Sequence, residues 1–140
     1  MTQCVAHVDG AARGNPGPAG IGVVLSDEAG RVLKEIAEPL GVATNNVAEY
    51  RALIRALYEA HAIGCRRIRI VTDSELMARQ MNGQYAVRST HLKPLYHQAR
   101  ALMRQFDRVE VTHVPRKQNA RADQLSNLGA DRVQKDRPSP

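Results

Sequence analysis

The sequence predicts an α/β fold in which a mixed β-sheet carries helices on both faces. Apolar residues first alternate with a period of two, and near residue 45 they change to helical spacing. Beyond residue 62, short strand-like runs alternate with helical segments. The predicted order of elements is therefore βββ-α-β-α-α-β-α. A chain of 140 residues fits one domain with a core of ordinary size.

The first third of the chain predicts three antiparallel strands in a meander. Residues 4–9 form a short apolar run, and the Asp9-Gly10 pair that bounds it is a common turn signal. Residues 19–25 and 31–37 flank a turn-rich stretch and predict a hairpin.

Residues 45–62 predict the first helix, and Gly64 is a suitable stop. Its apolar face consists of Val47, Tyr50, Leu53, Ile54, Leu57 and Tyr58. At ~100° per residue, Glu49 borders this face, away from the charged stripe of the helix. A carboxylate that only interacts with solvent would not be expected there.

The second half of the chain alternates between the two periods. Residues 67–72 predict a strand, and Ser74 is a suitable N-cap for a short helix that ends near residue 81. A further helix is predicted to end near residue 105, followed by a strand over residues 109–114 and a last helix over residues 118–130.

Composition indicates a soluble cytoplasmic protein. No stretch approaches the ~20 apolar residues that a membrane helix needs, and the N-terminus lacks the pattern of a secretory signal. Cys4 and Cys65 are expected to be reduced thiols, because two cysteines do not make a disulfide framework. We expect the domain to span residues 1–130 and the polar residues 131–140 to form a flexible C-terminal tail.

The chain carries a formal net charge of +6. Such a charge attracts polyphosphates and favours association with nucleic acid, although solubility alone could also explain it.

Four acidic residues lie in different structural settings: Asp9, Glu49, Asp73 and Asp123. Asp9 and Asp73 follow predicted strands at the edge where α/β sheets place their sites, and the other two lie within helical patterns. Each has an ordinary explanation as a turn residue, a helix cap or a solvated charge. Together they suggest a cluster of oxygen ligands for a hard divalent cation such as Mg²⁺.

The sequence around each acid provides a more specific signal. The stretches are DGAARGNPGPAGIGVVL from Asp9, TNNVAEYRALIRAL from Thr44, TDSELMARQMNG from Thr72 and HVPRKQNARADQLSN from His113. In content and order they resemble type 1 ribonuclease H, over most of residues 4–130. The resemblance implies a ribonuclease H-like fold with a five-stranded mixed sheet. The chain is similar to compact members without the basic protrusion, because the link at residues 82–90 is short and the chain has no Trp.

The resemblance also implies a metal-dependent endoribonuclease that hydrolyses the RNA strand of RNA–DNA hybrids. Its metal ligands would be Asp9, Glu49, Asp73 and Asp123, with Asp9 bridging two Mg²⁺ ions and Asp123 the most mobile ligand. Mn²⁺ could substitute, and the products would carry 5′-phosphate and 3′-hydroxyl ends. The expected partner is the hybrid duplex, with no membrane, no obligate protein partner and a monomeric state.

Further site residues follow from the same resemblance. His113, ten residues before Asp123, matches a catalytic histidine that transfers protons or assists product release, although it could also be bonded to backbone at a strand end. The residues that match nucleic-acid contacts are Asn15, Thr44, Asn45, Asn46 and Asn119. Turn formation and helix capping are the alternatives for the asparagines.

Two other functions are compatible with this fold. One is a nucleic-acid-binding module without catalysis, which the presence of all four acids disfavours. The other is a nuclease that acts on a different substrate, because a fold alone does not fix function. The asparagine pair and His113 favour ribonuclease activity.

Overall fold

Residues 3–136, which the computed structural model describes, form five strands and four α-helices in the predicted order. Side chains are described for residues 3–133. The elements are β1 (Gln3–Ala12), β2 (Gly17–Asp27), β3 (Val32–Ala43), α1 (Asn45–Ala62), β4 (Arg67–Thr72), α2 (Glu75–Met81), α3 (Lys93–Met103), β5 (Arg108–His113) and α4 (Ala120–Asp136). A short 3₁₀ helix, Arg116–Asn119, precedes α4.

The strands form one mixed sheet in the order β3-β2-β1-β4-β5. The first three strands pair antiparallel, while β4 lies parallel to both β1 and β5. Helix α1 packs on β1 and β2 with α3 beside it, and α4 packs on β1, β2 and β3. Alternate residues of β2 contact the two layers: Ile21 and Val23 belong to the core on the α1 side, whereas Gly20 and Gly22 face α4. The predicted fold class is confirmed.

Helix α1 has the boundaries that its apolar spacing predicts. The Thr44 hydroxyl accepts a hydrogen bond from the Val47 amide at 3.2 Å and caps the first turn. The chain leaves the helix at Gly64, whose φ of 88° suits a residue without Cβ. Tyr50, Leu53 and Leu57 are buried on the side that faces the sheet. The helix is therefore fixed at both ends and along one face, which determines where Glu49 lies.

The first and last predicted elements end too early. Strand β1 continues to Ala12 and places Asp9 within the strand, because Gly10 remains paired with Ile21 of β2 and does not turn. Helix α4 continues to Asp136, so it includes the first six residues of the predicted tail. Asp131 pairs with Arg13 at 2.7 Å, which anchors this extension to the loop after β1. The remaining residues of that tail, 137–140, lie outside the described residues.

Cys4 and Cys65 form a disulfide, with their Cα atoms 6.1 Å apart. The prediction of two reduced thiols is thus wrong for this structure. The cysteines are 61 positions apart in sequence, but Cys65 directly precedes β4, which lies parallel to β1 and pairs Ile68 with Cys4. The cytoplasmic location, on which the prediction of thiols partly rested, stays a prediction. Within residues 3–136, no helix combines the length and apolar character needed to cross a bilayer.

Candidate active site

Asp9 is buried in the middle of the sheet, at 4% exposure, and Glu49 reaches it from helix α1. The two elements can approach because Gly10 has no side chain, and a Cβ there would collide with the Ala48 backbone. In that contact the Gly10 amide donates a hydrogen bond of 3.0 Å to Glu49 Oε1. Because position 10 is a glycine, β1 and α1 come close enough to bring the two carboxylates together.

Asp73 completes a cluster of three carboxylates. It directly follows β4, the parallel neighbour of β1, and the Ser74 amide donates to Thr72 Oγ1 at 3.0 Å to shape this strand end. One carboxylate oxygen from each of Asp9, Glu49 and Asp73 lies within 4.8 Å of the others. Asp9 and Glu49 are buried and Asp73 is half-buried, and we call these three residues the buried trio. The sequence prediction that acids far apart in the chain converge is confirmed for the trio.

The electrostatics of the buried trio favour a bound cation. Burial, followed by the charge of Asp73, raises the pKa of Asp9 to about 8, although a hydrogen bond from Ser126 opposes the rise. Burial also raises the pKa of Glu49 well above its usual value, and the neighbouring Asp9 charge adds to this. Water has been removed from carboxylates that repel one another, so a proton or a cation is required to neutralise them.

Asp123, the fourth acid, lines one cavity together with the buried trio, but different contacts hold it in place. It lies in the first turn of α4. This helix can pack closely on the sheet because Gly22 has no side chain, and a Cβ there would collide with the Ala122 carbonyl. Arg116 Nη2 contacts both Asp123 oxygens, at 3.2 and 3.4 Å, and Asn127 Nδ2 donates to one of them at 3.3 Å. Asp123 therefore shares the cavity without belonging to the buried trio.

The cavity as a whole suits a divalent metal. It encloses about 280 Å³ and is lined by all four acids, with Arg116 as the cationic residue among its described lining. Glu49 Oε2 is buried and has no hydrogen-bond partner in the described part of the chain. An unpaired buried oxygen beside two further carboxylates is the donor set that a hard cation such as Mg²⁺ requires.

His113 lies at the exposed end of β5 and does not line this cavity. The next residue, Val114, donates its amide to the Thr72 carbonyl at 2.9 Å, which fixes the segment beside the strand that carries Asp73. The histidine is thus close to the site in the fold without contacting the carboxylates in this conformation.

Three of the predicted nucleic-acid contacts are exposed beside the cavity: Asn15, Asn45 and Asn46. Asn15 Oδ1 accepts a hydrogen bond from the Asn45 amide at 3.1 Å, and Asn45 Oδ1 accepts one from the Ala12 amide at 2.9 Å. Thr44 is half-buried, and its hydroxyl caps α1. Asn15 and Asn45 therefore join the loop after β1 to the start of α1, while the helix cap is provided by Thr44.

Asn119 is located differently from the prediction. We expected a loop residue close to the scissile phosphate, but its exposure is 1%, and its Nδ2 donates to the Val8 carbonyl at 2.8 Å. In this conformation the side chain is not accessible to a duplex, and its contact with nucleic acid stays a prediction. Asn119 instead joins the 3₁₀ helix to β1 next to Asp9, so its role in this conformation is structural.

Sequence reasoning missed two residues that position the acids. Ser126 is fully buried, and its hydroxyl donates hydrogen bonds to Asp9 Oδ2 and to the Asp123 carbonyl. Arg116, the second of them, pairs with Asp123 at 3.2 Å. Helical spacing could have indicated Ser126, because this residue follows Asp123 by three positions and so lies on the same face of the helix.

Comparison with known proteins agrees with this geometry. Residues 7–129 match the sequence family described as "Reverse transcriptase-like". The chain is 45% identical over 130 residues to a bifunctional protein of Mycobacterium tuberculosis, a match that covers 92% of this chain and 36% of that protein. It is 44% identical over 126 residues to ribonuclease HI of Halobacterium salinarum, covering 90% of this chain and 63% of that protein. The chain thus spans only part of the length of both relatives.

Two solved structures are similar over nearly the whole fold. The N-terminal RNase H domain of the Mycobacterium tuberculosis protein matches with a TM-score of 0.93 at 42% identity, covering 96% of this chain and 98% of that domain. An RNase H1 isolated from compost by a metagenomic approach, solved in complex with an RNA/DNA hybrid, matches with a TM-score of 0.89 at 42% identity, covering 94% and 99%.

Proposed function

The chain belongs to the type 1 ribonuclease H family, and from this membership we propose that it is an endoribonuclease that hydrolyses the RNA strand of RNA–DNA hybrids. The observation that carries the proposal is the buried trio, whose three carboxylate oxygens lie within 4.8 Å of one another. The hybrid bound to the compost enzyme supports the choice of substrate.

The acids of the cavity would hold two divalent cations, Mg²⁺ by preference of the oxygen ligands and Mn²⁺ as a substitute. When bound, such ions make an attacking water more nucleophilic and offset the negative charge that develops on the phosphate. Asp9 lies between Glu49 and Asp73 and interacts with both, so it would be the shared ligand. Asp123 would complete the set after release from Arg116.

Two cationic or titratable residues beside the cavity would act on the substrate. Arg116 is 74% exposed and its guanidinium already lies at the cavity, so it can exchange the Asp123 carboxylate for a phosphate of the RNA strand. His113 would transfer a proton or assist product release, because an imidazole can both accept and donate a proton. The resulting products would carry 5′-phosphate and 3′-hydroxyl ends.

The exposed asparagines would distinguish RNA from DNA. Asn15, Asn45 and Asn46 lie in the loop after β1 and in the first turn of α1, beside the cavity. Their amide groups can bond 2′-hydroxyls and base edges in the minor groove of a hybrid. Thr44, at the N-terminus of α1, would lie near a phosphate of the DNA strand.

The proposal is tested by incubating an end-labelled hybrid, the same RNA single-stranded and the same sequence as duplex DNA with the protein and Mg²⁺. We expect cleavage of the RNA strand of the hybrid alone among these three, and loss of cleavage in Asp73→Asn. Asp107→Asn is the matched control, because Asp107 is an exposed acid outside the cavity. Full activity of Asp73→Asn, or cleavage of duplex DNA at the rate of the hybrid, would refute the proposal.

A further inference from the structure

One face of the sheet is covered only in part. Helix α4 packs on β1, β2 and β3, and the first residues of β4 and β5 that point to the same side are exposed, whereas Val71 further along β4 is buried. They include Arg67, Arg69 and Arg108. Parallel strands are normally buried on both faces, so a charged and open face on a parallel pair requires an explanation. We call this surface the arginine face.

The charges of the arginine face are not balanced within the protein. Arg108 pairs with Glu110 at 2.6 Å, but neither Arg67 nor Arg69 forms an ion pair with any side chain that the structure describes. Arg69 donates only to the Thr112 hydroxyl, at 3.3 Å. The surface therefore carries two uncompensated positive charges, and an anionic partner would complement them.

Fold stability accounts for only part of this arrangement. The parallel register of β4 and β5 places Arg69 beside Glu110, a favourable pair, but it also places Arg67 directly beside Arg108, and like charges on neighbouring strands destabilise a sheet. Charged residues often protect an edge strand from pairing with other chains, which could explain Arg108 and Glu110 on β5. Arg67 and Arg69, however, lie on β4, which is paired on both sides by β1 and β5.

The arginine face lies on the strand that leads to the candidate active site, with the buried Val71 between Arg69 and Asp73. Strand β4 runs from Arg67 towards Asp73, a distance of ~20 Å at ~3.3 Å per residue. Arg67 and Arg69 point to the same side with a spacing of ~6.6 Å. They form a single row, whereas the two phosphate backbones of a duplex would require two separate rows. The described side chains of this face include no aromatic ring on which bases could stack.

From these observations we propose that the arginine face binds the phosphates of an unpaired strand that continues from the hybrid in the active site. The proposal rests on the proposed function, since the hybrid delivers the strand. At the ~3.4 Å rise of a stacked strand, about six nucleotides would cover the distance from the site to Arg67, and a more extended strand would need fewer. A compact protein without a basic protrusion would thereby gain affinity for hybrids with a single-stranded extension.

The test compares a blunt hybrid with the same hybrid carrying an extension of about eight nucleotides, placed in turn on each end of each strand. Binding is measured by fluorescence anisotropy without divalent ions, so the result does not depend on catalysis. We expect at least one extension to strengthen binding about tenfold. It should also make the slope of log K against log [salt] more negative by about 1.4, the value for two phosphate contacts with a single strand. The double variant Arg67→Gln/Arg69→Gln should lose most of both effects.

Two further variants make the result specific. Arg51→Gln/Arg104→Gln removes the same charge from exposed arginines on α1 and after α3. This variant should keep the increase in affinity that the extension gives. Glu110→Gln removes the negative charge of the arginine face and should increase the gain about twofold. No gain from any extension in the unmodified protein, or equal losses in both double variants, would overturn the proposal. Cleavage of the blunt hybrid, assayed separately with Mg²⁺, reports on the proposed function alone.

Discussion

The four acids of the cavity are positioned in two different ways. The buried trio is fixed by main-chain packing, with Asp9 and Glu49 exposed by only 4% and 8%. The Asp123 side chain is 26% exposed and is neutralised by the exposed guanidinium of Arg116. The trio therefore combines repelling charges at fixed positions, whereas Asp123 can exchange its partner at little cost. We infer that the trio provides most of the metal affinity and that Asp123 adjusts it.

The largest effect is expected from removing the central charge of the trio. Asp9→Asn should lower hybrid cleavage by about a thousandfold or more, because the proposed shared metal ligand would be lost. The same change removes repulsion from a desolvated site, so the metal-free variant should have a higher Tm than the unmodified protein near pH 8. The change in Tm is measured by calorimetry without divalent ions.

Asp107→Asn is the control for both measurements, since Asp107 is an exposed acid that pairs with Arg66. It should change neither cleavage nor Tm appreciably. A lower Tm for metal-free Asp9→Asn would mean that Asp9 stabilises the fold, and the interpretation of the trio as a strained cation site would then be wrong.

The second effect concerns the contact that joins β1 to α1. Gly10→Ala should separate Asp9 from Glu49 and lower the free energy of unfolding by about 3 kcal/mol, because the new Cβ would collide with the Ala48 backbone. Gly30→Ala is the matched control: Gly30 has a φ of 87° but no atom within 4 Å of an added Cβ. It should cost only about 1 kcal/mol and leave cleavage intact. Equal effects of the two changes in denaturant titrations would contradict the close-contact account.

The third effect is the pH dependence of stability. The folded pKa of Asp9 is about 8 against 3.8 for a free aspartate, so between these values the folded protein binds more protons than the unfolded chain. The free energy of unfolding of the metal-free protein should thus fall as pH rises from about 4 to about 8. Asp9→Asn should flatten this slope, although Glu49 will retain part of it. A slope unchanged by the substitution would show that other groups control it.

The smallest effect is expected at Asp123, the acid that lies outside the buried trio. Arg116→Ala frees Asp123 from an exposed ion pair worth about 0.5–1 kcal/mol, so affinity for Mg²⁺ should rise about two- to fivefold in isothermal titration. Arg121→Ala removes an arginine from the exposed pair with Glu35 and should leave Mg²⁺ affinity unchanged. Weaker Mg²⁺ binding by Arg116→Ala would exclude competition between the arginine and the metal.

The same contrast explains what the sequence could predict. The predicted bounds of helix α1 were correct at both ends, because its apolar spacing and its Gly64 stop are local signals. The convergence of the buried trio followed from a family resemblance that extends over most of the chain, and the structure confirms that convergence. Features set by local sequence, or by motifs in register, were therefore predictable.

Features set by contacts between distant segments were not. Gly10 was interpreted as part of a turn, whereas it is a strand residue without a side chain so that α1 can approach β1. The partners of Asn119 and of Cys4 likewise depend on which strands become neighbours. Nor does sequence alone show whether Asp123 faces a metal or an arginine, because both arrangements use the same residues.

The central claim is that the buried trio is a metal site, and a crystal soaked in Mn²⁺ tests it most directly. The account predicts an anomalous difference peak within coordination distance of carboxylate oxygens from Asp9, Glu49 and Asp73. A map with no peak in this cavity, while the trio keeps its geometry at a pH above 8, would contradict the claim.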